Sequence, residues 1–192
     1  LRYYRLVYSN DKDDMLPEGK SPIVINNYEL LGFDLRALWR GQKINNWNNG
    51  IRLFYEKGEV LLDLIPNNLS WLILSVNGLN VVRRFIADAQ VFQVSITSEA
   101  NKDLIIEANV VNVLTSISAM NWEKTDYTAW DDDPKEIKVI RNLVMNRSAL
   151  IQEPDIFRLN ESKNFIIVSE RLKSEIEKSN LSGFGFWEIE IT

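Results

Sequence analysis

Two stretches of the sequence repeat one pattern, and that repeat limits the fold. Residues 71–97 read WLILS, VNGLNVVRRFIADAQ and VFQVSIT; residues 165–192 read FIIVS, ERLKSEIEKSNLSGFG and FWEIEIT. Each holds four apolar residues, a serine, a helix-length segment and a closing strand with alternating apolar positions. In the second stretch Ser169 suits an N-cap, and Glu170 suits the positive end of the helix it opens. Leu172, Ile176 and either Ser179 or Asn180 fall near one helical face, with Gly183 and Gly185 beyond the helix. In the first stretch Leu79, Val82 and Phe85 or Ile86 form the matching stripe, while Gly78 weakens the helix. Two similar strand–helix–strand units predict an α+β fold: a mixed or mainly antiparallel sheet with a few packed helices. Residues 165–168 and 184–191 should share a sheet, with helix 170–179 on one face and Leu172 and Ile176 inward.

The remaining chain reads mostly as strand and turn. Residues 1–9 form a strand, 10–22 a polar loop, and 22–30 a second extended piece. Residues 31–41 make one or two helical turns ended by Gly41, and 44–50 a turn-rich connection with four asparagines. Two strands about the Lys57-Gly58 turn, closed by Pro66, account for 51–66. The run LIIEANVVNVLTSI (104–117) fits a bulged strand or a buried helix, and its β-branched content favours strand. A polar loop closed by Pro134 (128–136), one long edge strand (136–150) and a strand–turn–strand with its turn at Asn160 to Lys163 (154–168) complete the reading. All 192 residues are expected in a single domain.

The chain has no cysteine and no histidine. That excludes Cys-His and Ser-His-Asp catalysis, iron–sulfur clusters, histidine-ligated haem and any conventional zinc site. Ser75 and Ser169 have no histidine partner and read as caps. Asp131, Asp132 and Asp133 could ligate a hard cation, but three consecutive side chains of an extended backbone cannot all converge. A pair of carboxylates beside a tryptophan could serve a glycosidase, although the chain is short for one. Gly183 and Gly185 follow a helix rather than precede one, so they make no phosphate loop. No cofactor is expected. No run of 18 apolar residues could span a membrane, and no basic-then-apolar leader opens the sequence. The expected location is the cytoplasm: the lack of cysteine fits a reducing compartment, although bacterial periplasmic proteins can lack it too.

Net charge is −5, and it is concentrated. Residues 99–136 hold nine acids and three bases, a balance of −6, against +1 for the rest. Trp122, Tyr127 and Trp130 lie among Glu123, Asp126, Asp131, Asp132, Asp133 and Glu136. Carboxylates steer encounter with a basic protein, and amphipathic rings supply buried contact area. The competing reading is a solvated loop with its tryptophans turned inward. Asn46, Trp47 and Asn48 form the alternative binding loop. Direct nucleic-acid binding is disfavoured by the acidic balance.

Two segments resemble a known family. Ile156-Phe157-Arg158-Leu159, Val168-Ser169-Glu170, Leu172-Lys173, Ile176 and Leu181 through Phe186 match the closing pattern of a large family of bacterial immunity proteins. These are the eleventh class catalogued beside polymorphic toxins, first described as a domain of unknown function. Asn112-Val113-Leu114, Met120-Asn121-Trp122-Glu123-Lys124 and Tyr127 resemble its middle segment, with Asn121 where aspartate is frequent and Thr125 where serine is common. The resemblance covers residues 59–192 and is looser over 1–58. It implies a non-enzymatic protein that binds and neutralises a cognate effector in stoichiometric complex, and it carries over no catalytic residue. Two other readings stand beside it: a small carboxylate-dependent enzyme that reverses toxin damage, and a glycan- or peptide-binding module.

Overall fold

A computed structural model describes residues 1–9, 16–17, 19–131 and 136–192. The fold is α+β and mostly sheet. Strands β1 (Tyr3–Tyr8), β2 (Asn27–Glu29), β3 (Arg52–Tyr55), β4 (Ile73–Leu74), β5 (Ala89–Ser98), β6 (Ile105–Val113) and β7 (Ser116–Ile117) occupy the first two thirds of the chain. They are followed by β8 (Asp126–Ala129), β9 (Ile137–Asn142), β10 (Val144–Met145), β11 (Ile156–Leu159), β12 (Ser162–Ser169) and β13 (Phe184–Ile191). Among the described residues, helices α1 (Arg36–Trp39), α2 (Val76–Val82) and α3 (Glu170–Lys178) complete the regular structure, with short 3-10 turns at Arg83–Phe85 and Arg147–Leu150. One sheet runs β2-β3-β5-β6-β4, a second runs β10-β13-β1-β12-β11-β7, and β8 and β9 form a separate ribbon. Among the described residues no helix is long and apolar enough to cross a membrane.

The pairing registers make the two sheets copies of one plan. In the first, β5 pairs in parallel with β3 and antiparallel with β6, and β6 pairs with β4. In the second, β13 pairs in parallel with β10 and antiparallel with β1, and β1 pairs with β12. Adding 92 to each number carries the Ile25–Asn67 bridge onto the Ile117–Leu159 pair, and Tyr28–Leu53 onto Met120–Met145. Beyond the capping serines the correspondence continues: Ile73–Val110 matches Ile167–Arg5, and Phe92–Val110 matches Trp187–Arg5. Strand β1, first in the sequence, therefore holds the place in the second copy that β6 holds in the first.

Each copy starts its helix in the same way. Ser75 Oγ accepts from Gly78 N (3.0 Å) and donates to Asp63 Oδ1 (2.6 Å); Ser169 Oγ accepts from Leu172 N (3.2 Å) and donates to Asp155 Oδ1 (2.6 Å). The second oxygen of Asp63 receives Ser182 N and Oγ, from the turn after α3, whereas that of Asp155 receives Arg171. A serine holding both its helix amide and a neighbouring strand fixes where the helix leaves the sheet. Leu172 and Ile176 of α3 and Val81 and Val82 of α2 then enter one core between the sheets, with Leu74, Val113, Ile156 and Val168. Burying each large aliphatic side chain contributes about 1.5–3 kcal/mol. Two further cores lie on the outer faces. One packs residues of α1, Trp47 and Trp71 on the first sheet; the other packs Ala119, Met120, Tyr127 and Ile140 on the second.

Four local expectations need correction. Residues 51–66 do not form a hairpin: β3 pairs with β2 and β5, and 59–65 makes only single bridges at Val60 and Leu64. The edge strand expected over 136–150 breaks into β9, β10 and a 3-10 turn, because buried Leu143 passes from the ribbon into the third core. The loop expected over 128–136 begins as strand, since Thr128 and Ala129 still pair with β9. Gly78 is required rather than merely tolerated: a Cβ there would lie 2.8 Å from Asp63 O.

Candidate functional site

The ribbon β8–β9 occupies the stretch that separates the second copy's Asn121 from its Val144. In the first copy the stretch of equal length, residues 30–51, makes α1 and the asparagine-rich loop instead. Tyr127 pairs with Ile140, and both face the third core; Thr128 pairs with Val139, and both face outward. Arg141 crosses the outer face. Its Nη2 and Nε donate to the two oxygens of Asp126 (2.8 and 3.0 Å) and its Nη1 to Thr128 Oγ1 (2.9 Å). The bidentate hydrogen bonds hold the Asp126 carboxyl below its usual range and raise Arg141.

The sequence-predicted residues do not share one environment. Asp126 is neutralised within the chain, and Tyr127 is half-buried on the third core. Trp122 and Trp130 are 44% and 46% exposed: Trp122 sits edge-on to Tyr127 at 5.4 Å, and Lys138 Nζ lies 4.8 Å from the Trp130 ring. Glu123, Asp131 and Glu136 are exposed, and Trp130 N donates to Glu136 O (3.0 Å) to close the ribbon. Asp132 and Asp133 lie outside the described residues. In the alternative loop, Asn46 is exposed and Asn48 Oδ1 accepts from Gly50 N (2.8 Å). Trp47 turns inward, stacked on Phe92 at 4.4 Å and tilted against Trp71 at 6.2 Å.

The turn before the ribbon is scaffold. Asn121 Oδ1 accepts from Glu123 N and Lys124 N, both at 3.1 Å, and its amide donates to Asn146 Oδ1 and Thr192 Oγ1. Thr125 Oγ1, buried, donates to Val144 O and accepts from Val144 N, both at 3.1 Å. An aspartate at 121 would keep the acceptor but lose the amide donor, and a serine at 125 would keep the hydroxyl.

A cleft of about 710 Å³ opens at the start of α3, lined in part by Arg2, Tyr3, Glu153, Asp155 and Arg171. Its acids are largely engaged. Asp155 is held by Ser169 and Arg171, and Glu170 accepts from Tyr4 Oη, the main cause of its lowered pKa. Burial, followed by the nearby charges of Glu153 and Asp155, pushes the Tyr3 phenol up to about 12. Among the described residues no cluster of acids is arranged to hold a metal ion.

Sequence reasoning missed one row on the outer face of the second sheet. Arg5 is cross-strand neighbour to both Ile167 and Trp187. Its guanidinium carbon lies 3.5 Å from the Phe165 ring centre and 5.3 Å from that of Trp187. Trp187 is 61% exposed. The signal was present in β1, whose alternation puts Arg5 on the same face as buried Tyr3.

The model of the immunity protein family Imm11 matches residues 7–191. The chain belongs to this family of immunity proteins, and its fold is the duplicated sheet-and-helix arrangement described above. No curated protein matches the chain.

Proposed function

We propose that this protein neutralises a cognate bacterial toxin in the cytoplasm by forming a stoichiometric complex with it. The observation that carries the reading is the family match across nearly the whole chain. The engagement of polar groups supports binding over chemistry. Ser75 and Ser169 are committed to helix amides, and Asp63 and Asp155 to those serines. Our reading puts the contact on the ribbon and the turn before it; the exposure of Trp122 and Trp130 beside Glu123, Asp131 and Glu136 supports it. These acids would meet a basic toxin surface and steer encounter, while the indoles give up water on contact.

Titration calorimetry with the toxin domain encoded by the neighbouring reading frame tests the reading. One-to-one saturation together with loss of toxin activity at that ratio is expected. Rescue by far less than one equivalent would mean turnover, and the binding model would be wrong.

A further inference from the structure

The duplication provides an internal template for the row Trp187–Arg5–Phe165. By register its counterparts in the first copy are Phe92, Val110 and Trp71. That first row is roofed: Trp47 stacks on Phe92 at 4.4 Å and 14°, and Phe33 stands edge-on to Trp71 at 6.1 Å. The roof is pinned by one cross-strand pair. Gln90 exchanges two 2.8 Å hydrogen bonds with the backbone of Ile44, and Asn112 donates to Gln42 O at 2.8 Å. The corresponding pair in the second copy is Gly185 and Val7, neither of which has a side-chain polar group to pin a strap. The chain that could have roofed this row forms β8–β9 instead. A cleft of about 90 Å³ remains, bounded by Ile140, Arg141, Leu143, Phe165 and Trp187.

The row also carries a charge that the chain leaves unanswered. Arg5 is half-buried between two rings, and among the described residues its guanidinium makes no hydrogen bond or ion pair. Where the chain covers its own row, the central residue is Val110; where it does not, that residue is an arginine. Removal from water lowers the Arg5 pKa, and an acceptor would offset that cost.

We propose that the row Trp187–Arg5–Phe165 is a docking site for the cognate toxin, which places a flat apolar side chain on Trp187, as Trp47 sits on Phe92, and a neighbouring carboxylate on Arg5. The site rests on the toxin-binding reading above. It lies beside the ribbon across the small cleft, so one partner can reach both.

The test uses the full chain and the toxin domain of the neighbouring reading frame, with Trp187→Ala and Arg5→Met. Methionine keeps an apolar stem over Phe165 and removes the charge. Each variant should weaken binding by about 30-fold or more, the loss expected at a central contact, mainly through faster dissociation. The Trp187→Ala thermal midpoint should match the wild type, which separates lost contact from lost fold. Wild-type binding with both variants unchanged overturns this site and leaves the function standing. No binding by the wild type overturns the function and the site together. If the wild type instead self-associates in sedimentation and Trp187→Ala abolishes that, the row is a contact between two copies and the proposal is wrong.

Discussion

Gly78→Ala sets helix propensity against packing at one position. Propensity alone favours alanine by about 1 kcal/mol inside a helix. Gly78 occupies the position in α2 that Leu172 occupies in α3, since each donates its amide to the capping serine. Leu172 is fully buried, so α3 stands off its neighbours by a side chain, while α2 is pressed against the chain at Asp63. A new Cβ would meet Asp63 O at 2.8 Å and Asp63 C at 3.4 Å. That carbonyl cannot readily retreat, because it accepts from Ser75 N and Asp63 is tied to Ser75 and Ser182 through its side chain. Overpacking of this kind costs about 1–3 kcal/mol, so after the propensity gain the net loss should be about 0–2 kcal/mol. For a chain of this size a loss in that range lowers the thermal midpoint by up to about 8 °C. Urea unfolding and calorimetry of Gly78→Ala, with Asn80→Ala on the exposed side of the same helix as reference, measure it. A Gly78→Ala variant as stable as Asn80→Ala, or more so, would show that α2 is not held against Asp63 as argued.

Leu172→Ala and Ile176→Ala should each cost about 2–4 kcal/mol in denaturant unfolding, because both side chains end in the core between the sheets. Losses below about 0.5 kcal/mol for both would contradict that placement. The Asp126–Arg141 clamp should be sensitive to acid. The folded carboxyl lies below its unfolded value, so its contribution is present above the unfolded pKa and is lost as pH falls through the folded one. The difference in thermal midpoint between wild type and Asp126→Asn should therefore shrink to nothing in strong acid, and a constant difference would refute the clamp. Reversing Glu123, Asp131 and Glu136 to lysine should leave the thermal midpoint unchanged and slow association with a basic toxin at low salt. Stopped-flow rates that match wild type across salt concentrations would remove the ribbon's steering role.

What the sequence made legible was local. The capping serines, α3, the β11–β12 turn and the alternation of β13 all follow from signals within a few residues. The repeat read from residues 71–97 and 165–192 was real but shorter than the structural one. Upstream, the copies share few identities beyond Asp63 and Asp155, and register survives through backbone pairing that tolerates different side chains. The break at Leu143 and the failed hairpin at 51–66 have the same origin. Short apolar runs choose their partners from distant strands, and nothing local announces the choice. Among the site residues, Trp122 and Trp130 are exposed, whereas the neutralisation of Asp126 depends on Arg141, fifteen residues away. The Arg5 row required three strands, one from the start of the sequence and two from its last third.

The position of β1 has a consequence for synthesis. This strand pairs on both edges with β12 and β13, whose residues follow it by more than 150 positions. A ribosome adding about 5–20 residues per second delivers those partners on the order of ten seconds or more after β1 is made. The first copy meets no such delay, since all five strands of its sheet lie within residues 27–113. During the wait, YYRLVY is an unpaired aromatic strand with two open edges, the kind of segment that recruits chaperones or another nascent chain. The first sheet can therefore close once residue 113 has been made, and the second only after residues 162–191 have followed. The Arg5 row would be assembled last, when β1 is finally enclosed between its two late neighbours.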